Sequence, residues 1–165
     1  MKVSIALDEL LAWNEEAAEF WHEHFAAHPE LLALPCDIGG TRTVQEFVRH
    51  IWAVELRWAE RISGQTETPR EQIAEGPLDA LFDLHRKAMS ILRGVLANPA
   101  QDWEATYTLN VSWLPPEFRT ATYRKLCAHA LFHSQRHWAQ LATLVGSAGH
   151  PSGFRGDLLF SPSFR

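Results

Sequence analysis

Four stretches of this chain repeat their apolar residues at helical spacing, and prolines fall outside them or at a first turn. The first runs from Ser4 to His28 on the stripe Leu7, Leu10, Leu11, Ala17, Ala18, Trp21 and Phe25. The second opens on a capping box, Thr43 with Glu46, carries Val44, Phe47, Val48, Ile51, Trp58 and Ile62, and stops at Gly64. Pro77 suits the first turn of the third, whose stripe from Leu78 through Leu81, Phe82, Met89 and Leu92 to Leu96 is closed by Asn98 and Pro99. The fourth occupies Thr120 to Gly146, with Thr120 or Thr122 as its cap. Amphipathic helices of this length predict an all-α fold, a four-helix bundle.

Between helices three and four the period changes. Trp103, Ala105, Tyr107, Leu109, Val111 and Trp113 alternate with polar residues, which predicts a short extended segment, one arm of a small hairpin. The linkers after helices two and three are long for tight turns, so the pattern leaves open which helices are neighbours. The turn-rich tail, with Leu158, Leu159 and Phe160, is expected to lie across the bundle end.

At 165 residues the chain suits one domain, 1–165. A net charge of -5 with no basic cluster argues against nucleic-acid binding, and no apolar run reaches the roughly 18 residues of a membrane span. Asp8, Glu9, Glu15 and Glu16 come too early for a signal peptide, and Cys36 and Cys127 lack the spacing of a zinc ribbon or disulfide framework. A cytoplasmic location is the default expectation. Trp21, Trp52, Trp58 and Trp138 lie on predicted helices, as core fillers or, for one or two, as walls of a pocket.

His129, His133 and His137 sit four residues apart in the fourth helix, where its stripe between Ala130 and Leu141 calls for apolar side chains. Imidazoles one turn apart point the same way, which is how a helix offers two ligands to one metal ion. The alternative is a histidine-rich helix whose rings face water or bond to core partners. A metal needs a third ligand, and His50, beside the core stripe of helix two, is the best placed. His22, His24, His28, His85 and His150 are expected at the surface.

The stretch HALFHSQRHWAQLATLVGSAG resembles the last-helix signature of the DinB-like (DinB/YfiT) superfamily, roughly H-x3-H-x3-H-R-G-Q followed by aliphatics and a Gly. VRHIWAVELRWAERI looks like its second-helix motif, LLAWNEEAAEFW like its first helix and GDLLF like its closing motif, so the resemblance covers nearly the whole chain in order. It implies a four-helix bundle, often dimeric, that binds a divalent metal through three histidines. By position those are His50, His133 and His137, with His129 as an alternate ligand or a support behind the ligands. Trp138 and Ala139 stand where the family pattern has Arg-Gly, with Gln140 kept, which implies a bulkier rim beside the metal.

Three neutral imidazoles leave a coordination position open, as in catalytic zinc sites. Zinc or nickel is the expected ion. The resemblance further implies a small-molecule substrate, with thiol-dependent S-transfer using a low-molecular-weight thiol the foremost activity and homodimers the expected assembly. A metal-dependent hydrolase and a non-catalytic metal-binding stress-response bundle are the alternatives. Glu55 and Gln140 are candidates for orienting ligands or water, or for ordinary surface and pairing roles.

Overall fold

Helix boundaries follow the chemistry of the caps. The structure, a computed structural model, describes residues 5–73, 75–110 and 114–164. Its helices are α1 (Leu7–Ala27), α2 (Val44–Ile62), α3 (Leu78–Leu96) and α4 (Tyr123–Ser147). The Thr43 hydroxyl accepts the Glu46 N–H at 3.2 Å, and the Thr122 hydroxyl accepts the Lys125 N–H at 3.2 Å. The Glu46 carboxylate does not complete the box at Thr43. It accepts instead from the Arg42 N–H at 2.8 Å and from the Arg42 guanidinium, one residue earlier. The expected start of α1 at Ser4 lies outside the described residues.

The extended segment is shorter than its alternation predicts. β1 (Thr106–Thr108) pairs antiparallel with β2 (Thr120–Thr122), Thr106 opposite Thr122. Pro115, Pro116 and the start of α4 leave the partner strand no further length. Val111 and Trp113 lie outside the described residues.

α1 and α2 each pack against both α3 and α4 and so face one another diagonally across the bundle. The core divides into two apolar clusters. One holds Trp21, Phe25, Phe47, Trp52, Phe82 and Trp138, the other Leu11, Leu56, Leu92, Leu126 and Leu131. Residue numbers rise from the second cluster to the first along α1 and α4, and from the first to the second along α2 and α3. The two pairs are therefore antiparallel.

This topology makes the α2–α3 connection a crossover, because α3 begins at the end where α2 began. A helix of 19 residues is about 28 Å long, which the Ser63–Pro77 linker covers easily at roughly 3.3 Å per residue. Gly64 starts the reversal at φ 73°, and the linker then descends along α2. Glu67 meets Arg61 and Arg57, the Ile73 carbonyl accepts from Arg49 at 2.9 Å, and the Gly76 carbonyl accepts from Gln45 at 3.0 Å. The crossover thereby forms an outer wall over the α2 face that carries His50.

Four polar side chains separate the two apolar clusters, one from each helix. Glu55 of α2, fully buried, accepts hydrogen bonds from Asn14 of α1, from His85 Nδ1 of α3 at 2.7 Å and from Ser134 Oγ of α4 at 2.7 Å. His85 is thus a buried residue, contrary to the surface position expected for it. Its place one turn after Leu81 and one before Met89 puts it in the core stripe of α3.

The tail does not cap the bundle end as expected. It runs antiparallel along α1, with Phe154 on Phe20, Ser163 bonded to Glu16, and Phe164 edge-on to Trp13 at 6.4 Å. Leu158 packs inward while Leu159 remains 87% exposed.

Candidate metal centre

α2 and α4 are antiparallel neighbours, and this brings His50 opposite His133 and His137. One nitrogen from each of the three rings lies within 4.8 Å of the others. The rings are 5.8 Å (His50–His133), 5.3 Å (His50–His137) and 4.3 Å (His133–His137) apart between centroids. Phe47, one turn before His50 and fully buried, lies parallel to the His50 ring and edge-on to His137, which limits the rotation of both.

Gln140 determines which nitrogen of His137 is available. Its Oε1 accepts the His137 Nδ1–H at 2.6 Å and leaves the Nε2 lone pair facing His133 Nε2, 3.1 Å away. The two neutral rings do not satisfy each other. With the His133 proton on Nδ1, two lone pairs face one another. With it on Nε2, that N–H donates to His137, but the buried Nδ1 lone pair then has no donor among the described residues. A cation between the Nε2 atoms removes the lone-pair conflict. Their separation is close to the roughly 3.3 Å edge between two nitrogens about 2.0–2.1 Å from a tetrahedral ion. The donor set fits a divalent metal.

Burial keeps these rings neutral. It lowers the His50 pKa to about 4, helped by His137, Arg70 and Arg136, and the His133 pKa to about 3, helped by His137 and Arg136. His137 is lowered as well, chiefly by burial, against the opposing hydrogen bond from Gln140. At neutral pH all three therefore present lone pairs.

Beside His50 lies a cavity of about 300 Å³ between α2 and the crossover. Arg42, Arg49, Arg57 and Arg70 line it against Glu46 and Glu75. A second cavity of about 450 Å³ adjoins it along α2, sharing Val54 and Arg57, and is largely apolar, with Trp58, Leu109, Phe118 and His129 in its walls.

His129 stays apart from the three-histidine group. Its ring is edge-on to Trp58 at 5.3 Å and 6.0 Å from His133 between centroids, so it belongs to the wall of the apolar cavity. Glu55 makes its hydrogen bonds to Asn14, His85 and Ser134, and none to the three histidines. Among the described residues it pairs with no arginine. Trp138 forms no rim. About 100° of helical rotation separates it from His137, and it is fully buried against Trp52 at 4.7 Å and Trp21 at 5.6 Å. The rim residue is Arg136, whose Nη2 reaches to 3.4 Å from His137 Nε2. Neither Arg136 nor Arg70 stood out in the sequence, because nothing local links a linker arginine to a helix about 65 residues on. Cys127, buried with its thiol pKa raised to about 12, is no nucleophile here.

An antiparallel helical bundle with three imidazoles from two facing helices is the architecture of an in-bundle metal site. The chain matches the family model described as DinB family over residues 1–156 and belongs to that family. Comparisons with curated proteins and with solved structures give no significant match. Among the described residues no helix is long and apolar enough to cross a membrane.

Proposed function

We propose that this protein is a divalent-metal-dependent transferase that uses a low-molecular-weight thiol, with His50, His133 and His137 holding a zinc or nickel ion. The observation that carries the reading is the convergence of three neutral imidazoles, one fixed in tautomer by Gln140, beside an open cavity. A divalent ion held by three imidazoles lowers the pKa of a thiol or water that enters its remaining position.

The chain's own residues do the rest. Gln140 keeps His137 Nε2 deprotonated, Phe47 limits ring rotation, and burial holds His50 and His133 neutral. The largely apolar cavity walled by Trp58 and His129 suits an apolar electrophile. Thiol transfer is favoured over hydrolysis because, among the described residues, no free carboxylate stands ready as a general base beside the histidines. Glu46 is paired with Arg42 at 2.8 Å, Glu75 lies 3.8 Å from Arg49, and Glu55 is committed to the buried polar layer. A cytoplasmic setting, where small thiols stay reduced, accords with two unpaired cysteines.

Elemental analysis of untagged protein tests the ligand set. His133→Ala and His137→Ala should each abolish stoichiometric metal, while His129→Ala retains it. Metal content that survives both of the first two changes rules out this centre. Metal-loaded protein offered a panel of electrophiles should turn over only with added thiol, and lose that turnover in His137→Ala. Thiol-independent ester or amide cleavage moves the assignment to a hydrolase.

A further inference from the structure

The charges around the cavity beside His50 do not cancel. The protein carries a net charge of -5, yet four arginines face two glutamates here. Arg42 is engaged by Glu46, Arg49 by Glu75, and Arg57 by Glu67 from outside the cavity. Arg70 lines the cavity and has no ion-pair partner among the described residues, and the same holds for Arg136 at the His137 edge. Arg70 shares the cavity wall with His50, and Arg136 Nη2 lies 3.4 Å from His137 Nε2, so the two cations flank the three-histidine group. The crossover delivers Arg70 there, held by the Arg49 bonds to the Ile73 carbonyl. A guanidinium without an ion-pair partner in a cavity wall raises the local concentration of anions and offers planar, charge-assisted hydrogen bonds to carboxylate or phosphate.

We infer that this cavity binds the anionic group, a carboxylate or phosphate, of the molecule that reacts at the three-histidine centre, with Arg70 as its cationic contact in the cavity wall and Arg136 supporting it from the His137 edge. The inference rests on the metal-centre reading for what lies next to the anion, but the arginine site itself does not need the metal. A volume of about 300 Å³ suits the acidic portion of a small substrate, while the adjoining apolar cavity takes its partner.

Isothermal titration of zinc-loaded protein with 3-mercaptopropionate and with its methyl ester tests the idea without reference to turnover. The acid should bind about tenfold tighter than the ester, as expected for charge-assisted contacts. That advantage should shrink at high salt and collapse toward unity in the Arg70→Ala/Arg136→Ala double variant, whose metal content stays at the wild-type level. Equal binding of acid and ester by the wild type overturns the inference while leaving the metal centre standing. Should the protein take up no metal, the centre fails instead, and the anion site is then read on the metal-free protein with inorganic phosphate and with propionate. Binding of either that depends on Arg70 and Arg136 supports the site, and binding of neither overturns it. Phosphate displacing 3-mercaptopropionate where propionate does not makes the natural group a phosphate, and the reverse makes it a carboxylate.

Discussion

Gln140 is exposed, yet it fixes the chemistry of a buried ring. By accepting the His137 Nδ1–H at 2.6 Å it removes one of two tautomers and raises the basicity of Nε2. Gln140→Leu should therefore weaken metal affinity about 10- to 100-fold with little change in fold, which chelator competition measures. An unchanged affinity means that Phe47 packing alone orients the ring. Protonation adds a second expectation. The His50 and His133 pKa values drop from 6.5 to about 4 and about 3 on folding. Between those limits the unfolded chain binds protons that the folded chain refuses, so the metal-free protein loses stability as pH falls from about 6.5 toward 4, and toward 3 for His133. Above about 6.5 both states are neutral at these positions and they contribute no slope. Tm measured on metal-free protein between about pH 7 and pH 4.5 should fall less steeply in a His50→Gln/His133→Gln double variant. Parallel slopes would contradict the depressed values.

At the scale of the helix, the most informative residues are those that interrupt an apolar stripe. His133 and His137 do so in α4, and their i, i+4 spacing made a shared ligand face legible from sequence. Asn14, Glu55, His85 and Ser134 interrupt the four stripes too, one per helix, and together they form the buried layer between the core clusters. Their helical phase was readable, so the burial of His85 had a signal in its spacing from Leu81 and Met89. Their mutual pairing had none, because the partners come from helices far apart in sequence. The layer holds α1 against its diagonal opposite α2 and fixes the longitudinal register of all four helices, since sliding any one by a turn strands a buried polar group. Removing the shared acceptor should be costly. Glu55→Ala is expected to lower stability by about 3–5 kcal/mol, and Ser134→Ala by about 1–3 kcal/mol, both read by urea denaturation. A Glu55→Ala loss below about 1 kcal/mol would mean that His85 and Asn14 find other partners. Ser134 adjoins His133 on α4, so Glu55→Ala should also reduce metal occupancy if the register of that helix sets the centre.

For the molecule as a whole, caps and stripes made the helices legible to within a few residues, but not their arrangement. The reason is the crossover: its composition is merely polar, and only contacts such as Glu67 to Arg61 and Gln45 to Gly76 reveal that it returns along α2. The same linker carries Arg70 to the cavity beside His50, which is why the charge of the cavity was invisible in the sequence. The tail was misjudged for a similar reason, since Trp13 and Phe20 draw its aromatic residues onto the side of α1. That docking leaves an apolar surface. Phe132 of α4, 48% exposed, sits against Trp13 at 6.2 Å, and beside the same ring lie the tail residues Phe164 and Phe160, the latter 50% exposed. Contiguous exposed aromatics mark a contact surface, and a homodimer through this α1–α4–tail face is the expected assembly. Sedimentation equilibrium should give about twice the single-chain 18.8 kDa, and Phe132→Glu should shift it to the monomer while leaving metal content intact. A mass near 18.8 kDa that is independent of concentration removes the dimer. Dissociation by Phe132→Glu accompanied by loss of metal would instead mean that this face of α4 supports the neighbouring His133.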